Sequence, residues 1–260
     1  MVLTLDHIKD PDFIIPDDPR VNRFQLELHR ERYNFARQFV KGKKVLDAGC
    51  GSGYGSQLLS NDATFVIGAD IQEEVILYAK EKYHAANLRF ITTDSSRLAF
   101  VDNTFDMVVM DELIEHCKSY KELLREVHRV LVLNGRVLIS TTNSAFTFKG
   151  SYKPLNRYHF QEWNLEEFLG EVAGLFRCIH VWGQHVGQST ERFIQNPVAR
   201  SIEHLLLRLK IKHRIPLWMR VRLRERITGI RFEKTVFETR QITKENIGNG
   251  LYLIGLFEKI

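Results

Sequence analysis

A short apolar strand, Val45-Leu46, runs directly into a turn with glycine at every second position, Gly49, Gly51, Gly53 and Gly55 of KVLDAGCGSGYGS (44–56). A helix is expected from about Tyr54. Glycine reaches positive φ without penalty and, lacking a Cβ, lets a ligand lie against the backbone. A dinucleotide-binding turn would read G-x-G-x-x-G. From Gly49 that spacing meets Tyr54, and from Gly51 it meets Ser56, so it fails. The acid at the strand end, Asp47, agrees: a carboxylate repels a pyrophosphate but suits a ligand with an ammonium group.

The chain beyond the turn alternates strand and helix. Apolar periodicity predicts a helix over 21–40, containing RFQLELHRERYNFARQFV, which is placed either to cover the ligand pocket or to pack on a sheet. Arg32 and Tyr33 are its ligand candidates. Strands come next at 64–71, 88–94 and 136–143, while FDMVVMDELIEH (105–116) gives a further strand and the beginning of a helix; helices are expected at 73–84 and 121–135, the last closed by the stop signal Asn134-Gly135. A helix at 164–176 precedes strands at 177–183 and 251–259. This order predicts an α/β fold, Rossmann-like, with a seven-stranded mostly parallel sheet and helices on both faces. The expected divisions are an arm and cap helix (1–40), a core (41–183), a basic helical insertion (184–250) and a final core strand (251–260).

No apolar run approaches the length of a membrane span, and MVLTLDHIKDPDF has acids where a signal peptide needs an apolar stretch. The expected location is cytoplasmic. Three widely spaced cysteines, Cys50, Cys117 and Cys178, support neither a disulfide framework nor a zinc ribbon. The net charge of +5 is uneven: residues 198–240 hold twelve Lys/Arg against four Asp/Glu, a local +8.

D-x-G-x-G-x-G, Asp47 through Gly53, resembles motif I of the class I S-adenosylmethionine (SAM) dependent methyltransferases. RYNFARQFVKGKKVLDAGCGSGYGS, FDMVVMDELIEH, RVLVLNGRVLISTTN and YHFQEWNLEEF extend the likeness, which is to bacterial methyltransferases acting on sugars of surface polysaccharides or on related small molecules. The resemblance implies SAM as cofactor, S-adenosyl-L-homocysteine (SAH) as product, and an antiparallel hairpin at the sheet edge. It implies cofactor contacts from Asp47, Gly49, Cys50, Gly51, Gly53 and Tyr54. Asp70 with Ile71 would serve the ribose, Asp94 with Ser95 the adenine, and Asp111 the rim. Asp94 also reads as a simple turn cap. Asp47, Asp70, Asp94 and Asp111 all fall at carboxyl ends of strands, where open α/β sheets bind ligands.

SAM carries an activated methyl, so the protein must hold a nucleophile in line with it, and a hydroxyl acceptor needs a base or a metal. Asp111, His116 and His159 are the catalytic candidates, with Asn143 a candidate for lining the acceptor site. Glu112, Glu115 and His116 stand at i, i+3 and i+4, which on a helix is one face. This E-x-x-E-H resembles a string of ubiquinone-pathway O-methyltransferases and small-RNA 2′-O-methyltransferases that contributes to a divalent-metal site there, with a further His matched by His159. A metal-free base and a structural histidine are the alternatives.

The expected reaction moves a methyl from SAM to a hydroxyl or amine of a sugar, a polysaccharide precursor or a related small molecule. Three readings of 198–240 stand open. It can lie on an anionic membrane and serve a lipid-linked glycan at the inner membrane face. It can track an RNA backbone for 2′-O-methylation, although sparse aromatics disfavour single-strand stacking. Or it is a lid or a contact within an oligomer. A SAM-fold protein acting only as a scaffold is the non-enzymatic alternative.

Overall fold

The computed structural model of the chain describes residues 14–18, 21, 23–147, 156, 158–185, 226 and 243–260. It divides into two compact units, one of Met1–Gln184 with Gln241–Ile260 and the other of His185–Arg240. Of the second unit only His185 and Arg226 are described, so apart from Arg226 the basic segment 198–240, and with it the readings attached to it, lies outside the described residues.

The first unit is built on one sheet. Its elements in chain order are α1 (Arg23–Val40), β1 (Lys44–Ala48), α2 (Tyr54–Ser60), β2 (Phe65–Asp70), α3 (Glu73–Lys82), β3 (Leu88–Thr92) and β4 (Phe105–Asp111). Then come α4 (Tyr120–Val130), β5 (Leu131–Thr142), α5 (Ser144–Thr147), α6 (Leu165–Val172), β6 (Phe176–Gln184) and β7 (Tyr252–Lys259). The strand order is β3-β2-β1-β4-β5-β7-β6. β1 to β5 pair in parallel, while β7 runs antiparallel between β5 and β6. The expected seven-stranded Rossmann-like sheet with its antiparallel edge pair is present.

Side chains alternate faces along a strand, and the buried residues sort accordingly. Leu46, Val108, Met110, Val137, Ile139 and Leu253 meet α4 and α6 on one face. Val45, Met107, Val109, Leu138, Ile254 and Leu256 meet α1, α2 and α3 on the other. Both faces are covered, as a parallel sheet requires.

Two boundaries depart from the expectation. α4 stops at Val130, four residues before the Asn134-Gly135 signal, because Leu131 pairs with Phe105 and is wholly buried there. The signal marks a bulge instead: Asn134 has φ 59° and the pairing shifts before Arg136 resumes it opposite Met107. The second departure comes after β4. Glu112 has φ 51°, which breaks the helical path, and only Ile114–His116 coil, as a 3-10 turn. Glu112, Glu115 and His116 therefore do not share a helical face.

Candidate functional site

The first β-strand delivers its glycines at the carboxyl edge of the sheet. Gly49, Gly51 and Gly53 have φ of 74°, 50° and 84°. The N–H groups of Gly49 and Cys50 donate to the Ala69 carbonyl at 2.8 and 3.0 Å, which lashes the turn to the end of β2. Asp70, the next residue, accepts from Gly51 N at 2.9 Å and Gln72 N at 3.0 Å. Burial raises its pKa, opposed by those backbone donors. Beside it Ile71 is 64% exposed, an apolar side chain on an open rim. Gly49 is held close: a Cβ there would lie 2.7 Å from Leu113 Cδ1. Ser52 Oγ donates to the Ile14 carbonyl at 2.7 Å, tying the N-terminal arm to the turn. Burial pushes the Cys50 thiol well up, so it stands here as a small neutral side chain.

Asp47 does not reach the rim. It is wholly buried, with its carboxylate accepting from Ser56 Oγ at 2.5 Å and Tyr33 Oη at 3.1 Å. Burial raises its pKa to about 7 despite those two donors. Asp94 behaves as the turn cap: its Oδ1 accepts from Ser96 N at 2.8 Å and Ser96 Oγ at 2.7 Å, with Ser95 buried between them.

Asp111 and Glu112 find cations within the chain. Arg32 Nε donates to Asp111 Oδ1 at 2.5 Å, its Nη2 reaches Glu112, and its Nη1 donates to Gln184 Oε1 at 2.7 Å. The guanidinium lies 4.2 Å from the Tyr252 ring centroid. His29 pairs with Asp111 at 3.2 Å and Glu112 at 3.3 Å, and Ser140 Oγ donates to Asp111. Burial alone would raise the pKa of both acids, but Arg32 and His29 together outweigh it and hold them below the carboxylate range. Burial and Arg32 work against charge on His29, yet Glu112 and Asp111 together leave its pKa raised.

Beyond the 3-10 turn the two expected histidines meet. His116 and His159 are edge to face, with centroids 4.6 Å apart. His159 Nδ1 is 2.6 Å from Glu162 Oε1, and its Nε2 is 3.0 Å from Asn156 Nδ2. Desolvation lowers the His159 pKa, but Glu162 and Glu115 leave it raised overall. Glu115 is fully buried, accepts from Thr142 N at 3.0 Å through Oε1, and its backbone carbonyl takes Phe160 N at 2.8 Å. Burial raises its pKa to about 7, and its Oε2 has no partner among the described residues.

The divalent-metal expectation does not fit this arrangement. Glu112 is engaged by Arg32 and His29, Glu115 by the β5 backbone, and His159 by Glu162 and Asn156. Among the described residues no group of three or more His, Cys, Asp or Glu is placed to hold a metal ion. Asn143 is likewise a clasp: its Nδ2 donates to the Gly248 and Gly250 carbonyls at 3.0 and 2.8 Å.

A nucleoside with a cationic amino-acid tail does fit the rim. The Tyr54 hydroxyl is buried beside the glycine turn with no hydrogen-bond partner among the described residues, and Ile71 offers an apolar face next to Asp70. Three residues of the site, His29, Gln184 and Tyr252, are not among those that sequence patterns single out. Only His29 carries a local signal, standing three residues before Arg32 on the same helical face.

A family model described as a methyltransferase domain matches residues 46–139. A probable SAM-dependent methyltransferase of Mycolicibacterium smegmatis is 36% identical over 158 residues, 56% of this chain and 61% of that protein. The fatty-acid O-methyltransferase of the same organism is 31% identical over 141 residues, 52% of this chain and 50% of that protein. The matches thus span between half and three-fifths of these relatives' length. A chain of the Haloferax volcanii complex between the Trm112 methyltransferase activator and a methyltransferase superposes with TM-score 0.60 at 16% identity, covering 91% of this chain and 93% of that one.

Proposed function

Because its core belongs to the class I SAM-dependent methyltransferases, we propose that this protein transfers a methyl group from SAM to an oxygen of a small molecule. SAM supplies the activated methyl. The chain's own residues orient and deprotonate. The glycine turn and Tyr54 would hold the amino-acid tail, Asp70 the ribose hydroxyls, and Ile71 with the Asp94–Ser95 turn the adenine. The acceptor hydroxyl would sit by the 3-10 turn, where His116 takes its proton. His159, with Glu162 on Nδ1, backs His116 and keeps it turned to the site.

The observation that carries this reading is the meeting of His116 and His159 at 4.6 Å, at the end of the strand beside the glycine turn. An oxygen acceptor is also supported by the relative named as a fatty-acid O-methyltransferase. A glycan precursor remains our acceptor class, on the likeness to polysaccharide methyltransferases, and a hydroxyl or carboxyl on an apolar body is the competitor.

The test is transfer of labelled methyl from SAM to a panel containing methyl β-glucoside, octyl β-glucoside, a catechol and a medium-chain fatty acid. Transfer to the glucosides supports the glycan class, and transfer to the fatty acid alone replaces it. Calorimetry with SAH gives the cofactor half. Asp70→Ala should weaken SAH by about 10- to 100-fold, the worth of hydrogen bonds to a charged group. His116→Asn should leave SAH binding intact and slow transfer by about 100-fold or more. No SAH binding by the unsubstituted chain would sink the reading.

A further inference from the structure

We propose that Arg32, on a helix outside the matched residues 46–139, is a positioning residue for the reaction: through Glu112 it sets the turn that carries His116. This rests on the methyl-transfer reading. β4 ends at Asp111, and the next residue takes φ 51° although it is a glutamate. Left-handed backbone favours Gly, Asn or Asp, so another side chain is kept there at a cost. Its carboxylate is what the position uses, since it accepts from Arg32 Nη2 and lies 3.3 Å from His29 Nε2.

Arg32 in turn has little freedom. Its Nε is fixed on Asp111 at 2.5 Å, its Nη1 on Gln184 at 2.7 Å, and its plane on Tyr252 at 4.2 Å. Those partners come from the ends of β4, β6 and β7, so the planar fork has one orientation, and Lys lacks the geometry to reproduce it. Glu112 N also donates to the Ser140 carbonyl at 3.2 Å. With residue 112 held by both its side chain and its backbone, the path from Leu113 to His116 is decided. Leu113 lands against Gly49, and His116 N closes the 3-10 turn on the Leu113 carbonyl at 3.0 Å. One guanidinium thereby fixes a residue that packs on the cofactor turn and the ring that faces the acceptor.

The test uses the full chain and two readouts, the ring-proton NMR signals of His116, assigned by their loss in His116→Asn, and SAH calorimetry. Arg32→Lys keeps the charge without the fork, and Glu112→Gln keeps the shape without the charge at a partly exposed position, so a folded variant is available if Arg32→Lys does not fold. Arg37→Gln, on the same helix as Arg32, breaks the 2.6 Å pair to Asp62 beyond α2 and is the control for general loosening of α1. Both site variants should shift or broaden the His116 signals while SAH affinity stays within about threefold, and the control should leave the signals in place. His116 signals unmoved in Glu112→Gln, or moved equally by Arg37→Gln, would overturn the proposal. Absence of SAH binding in the unsubstituted chain would instead count against methyl transfer and leave the His116 result to be read by itself.

Discussion

A Cβ placed on Gly55 would lie 2.1 Å from the Tyr33 ring, and that ring carries the hydroxyl that reaches Asp47. Gly55→Ala should therefore destabilise the fold by ~1–3 kcal/mol through overpacking, measured by urea unfolding, and Tyr33→Ala should make the second change nearly free. The glycine and the acid are visible in the sequence, but their connection is not. Tyr33 comes from another element, and only the packed structure brings the aromatic ring between them. Asp70 is more legible, because its place at the end of the second strand follows from the βα repeat itself. Glu115 misleads for a similar reason to Asp47. Its string suggests a ligand, whereas burial and Thr142 N decide what the carboxylate does. With a pKa raised to about 7, Glu115 carries its proton through mildly acidic pH. Glu115→Gln imitates that protonated form, so it should cost little stability at pH 5 and flatten the decline between about pH 5 and 7, as thermal unfolding across pH would show.

Helices and strands are most legible where the apolar period is long. α1 and β7 fall close to their expected bounds, and α2 begins at the expected Tyr54, since each presents a clear face to the sheet. α6 adds a capping box, in which Asn164 Oδ1 accepts from Glu167 N at 3.0 Å and Glu167 Oε2 accepts from Asn164 N at 2.9 Å. Asn164→Ala should lower stability by about 1 kcal/mol, measurable by denaturant unfolding with little change in slope. The boundary between α4 and β5 is hard to place from sequence because Asn-Gly ends a helix and also makes a bulge. What decides between them is the long-range pairing of Leu131 with Phe105. The segment from Glu112 to His116 has a helical spacing, yet ion pairs to α1 hold its first residue in a left-handed conformation that no local pattern announces.

At the scale of the molecule, two sets of buried and half-buried groups pull stability in opposite directions with pH. Asp111 and Glu112 have lowered pKa values, so their contribution is present above the ordinary carboxylate range and lost as pH falls below it towards the lowered values. Asp47 and Glu115, both raised to about 7, contribute fully below that range and lose their contribution as pH rises from it to about 7. His29 and His159, also raised, lose theirs above the ordinary histidine value. The native state thus binds more protons than the unfolded chain between about pH 5 and 7, and stability should decline across that window by up to ~1.4 kcal/mol per pH unit per group. Chemical denaturation at pH 5, 6, 7 and 8 measures it, and a rising profile would contradict the assignment. The sheet order is legible because βα units leave few topologies.

The strand made of residues 252–259 does not lie at an edge: it separates β5 from β6 and hydrogen-bonds to both. During synthesis, then, the sixth strand emerges with no neighbour to join, and the fifth waits with one side open until the seventh slides in. Assembly of this domain is therefore finished from its interior. A ribosome stalled before position 252 should hold a nascent chain with a partial sheet, exposed to chaperones and proteases.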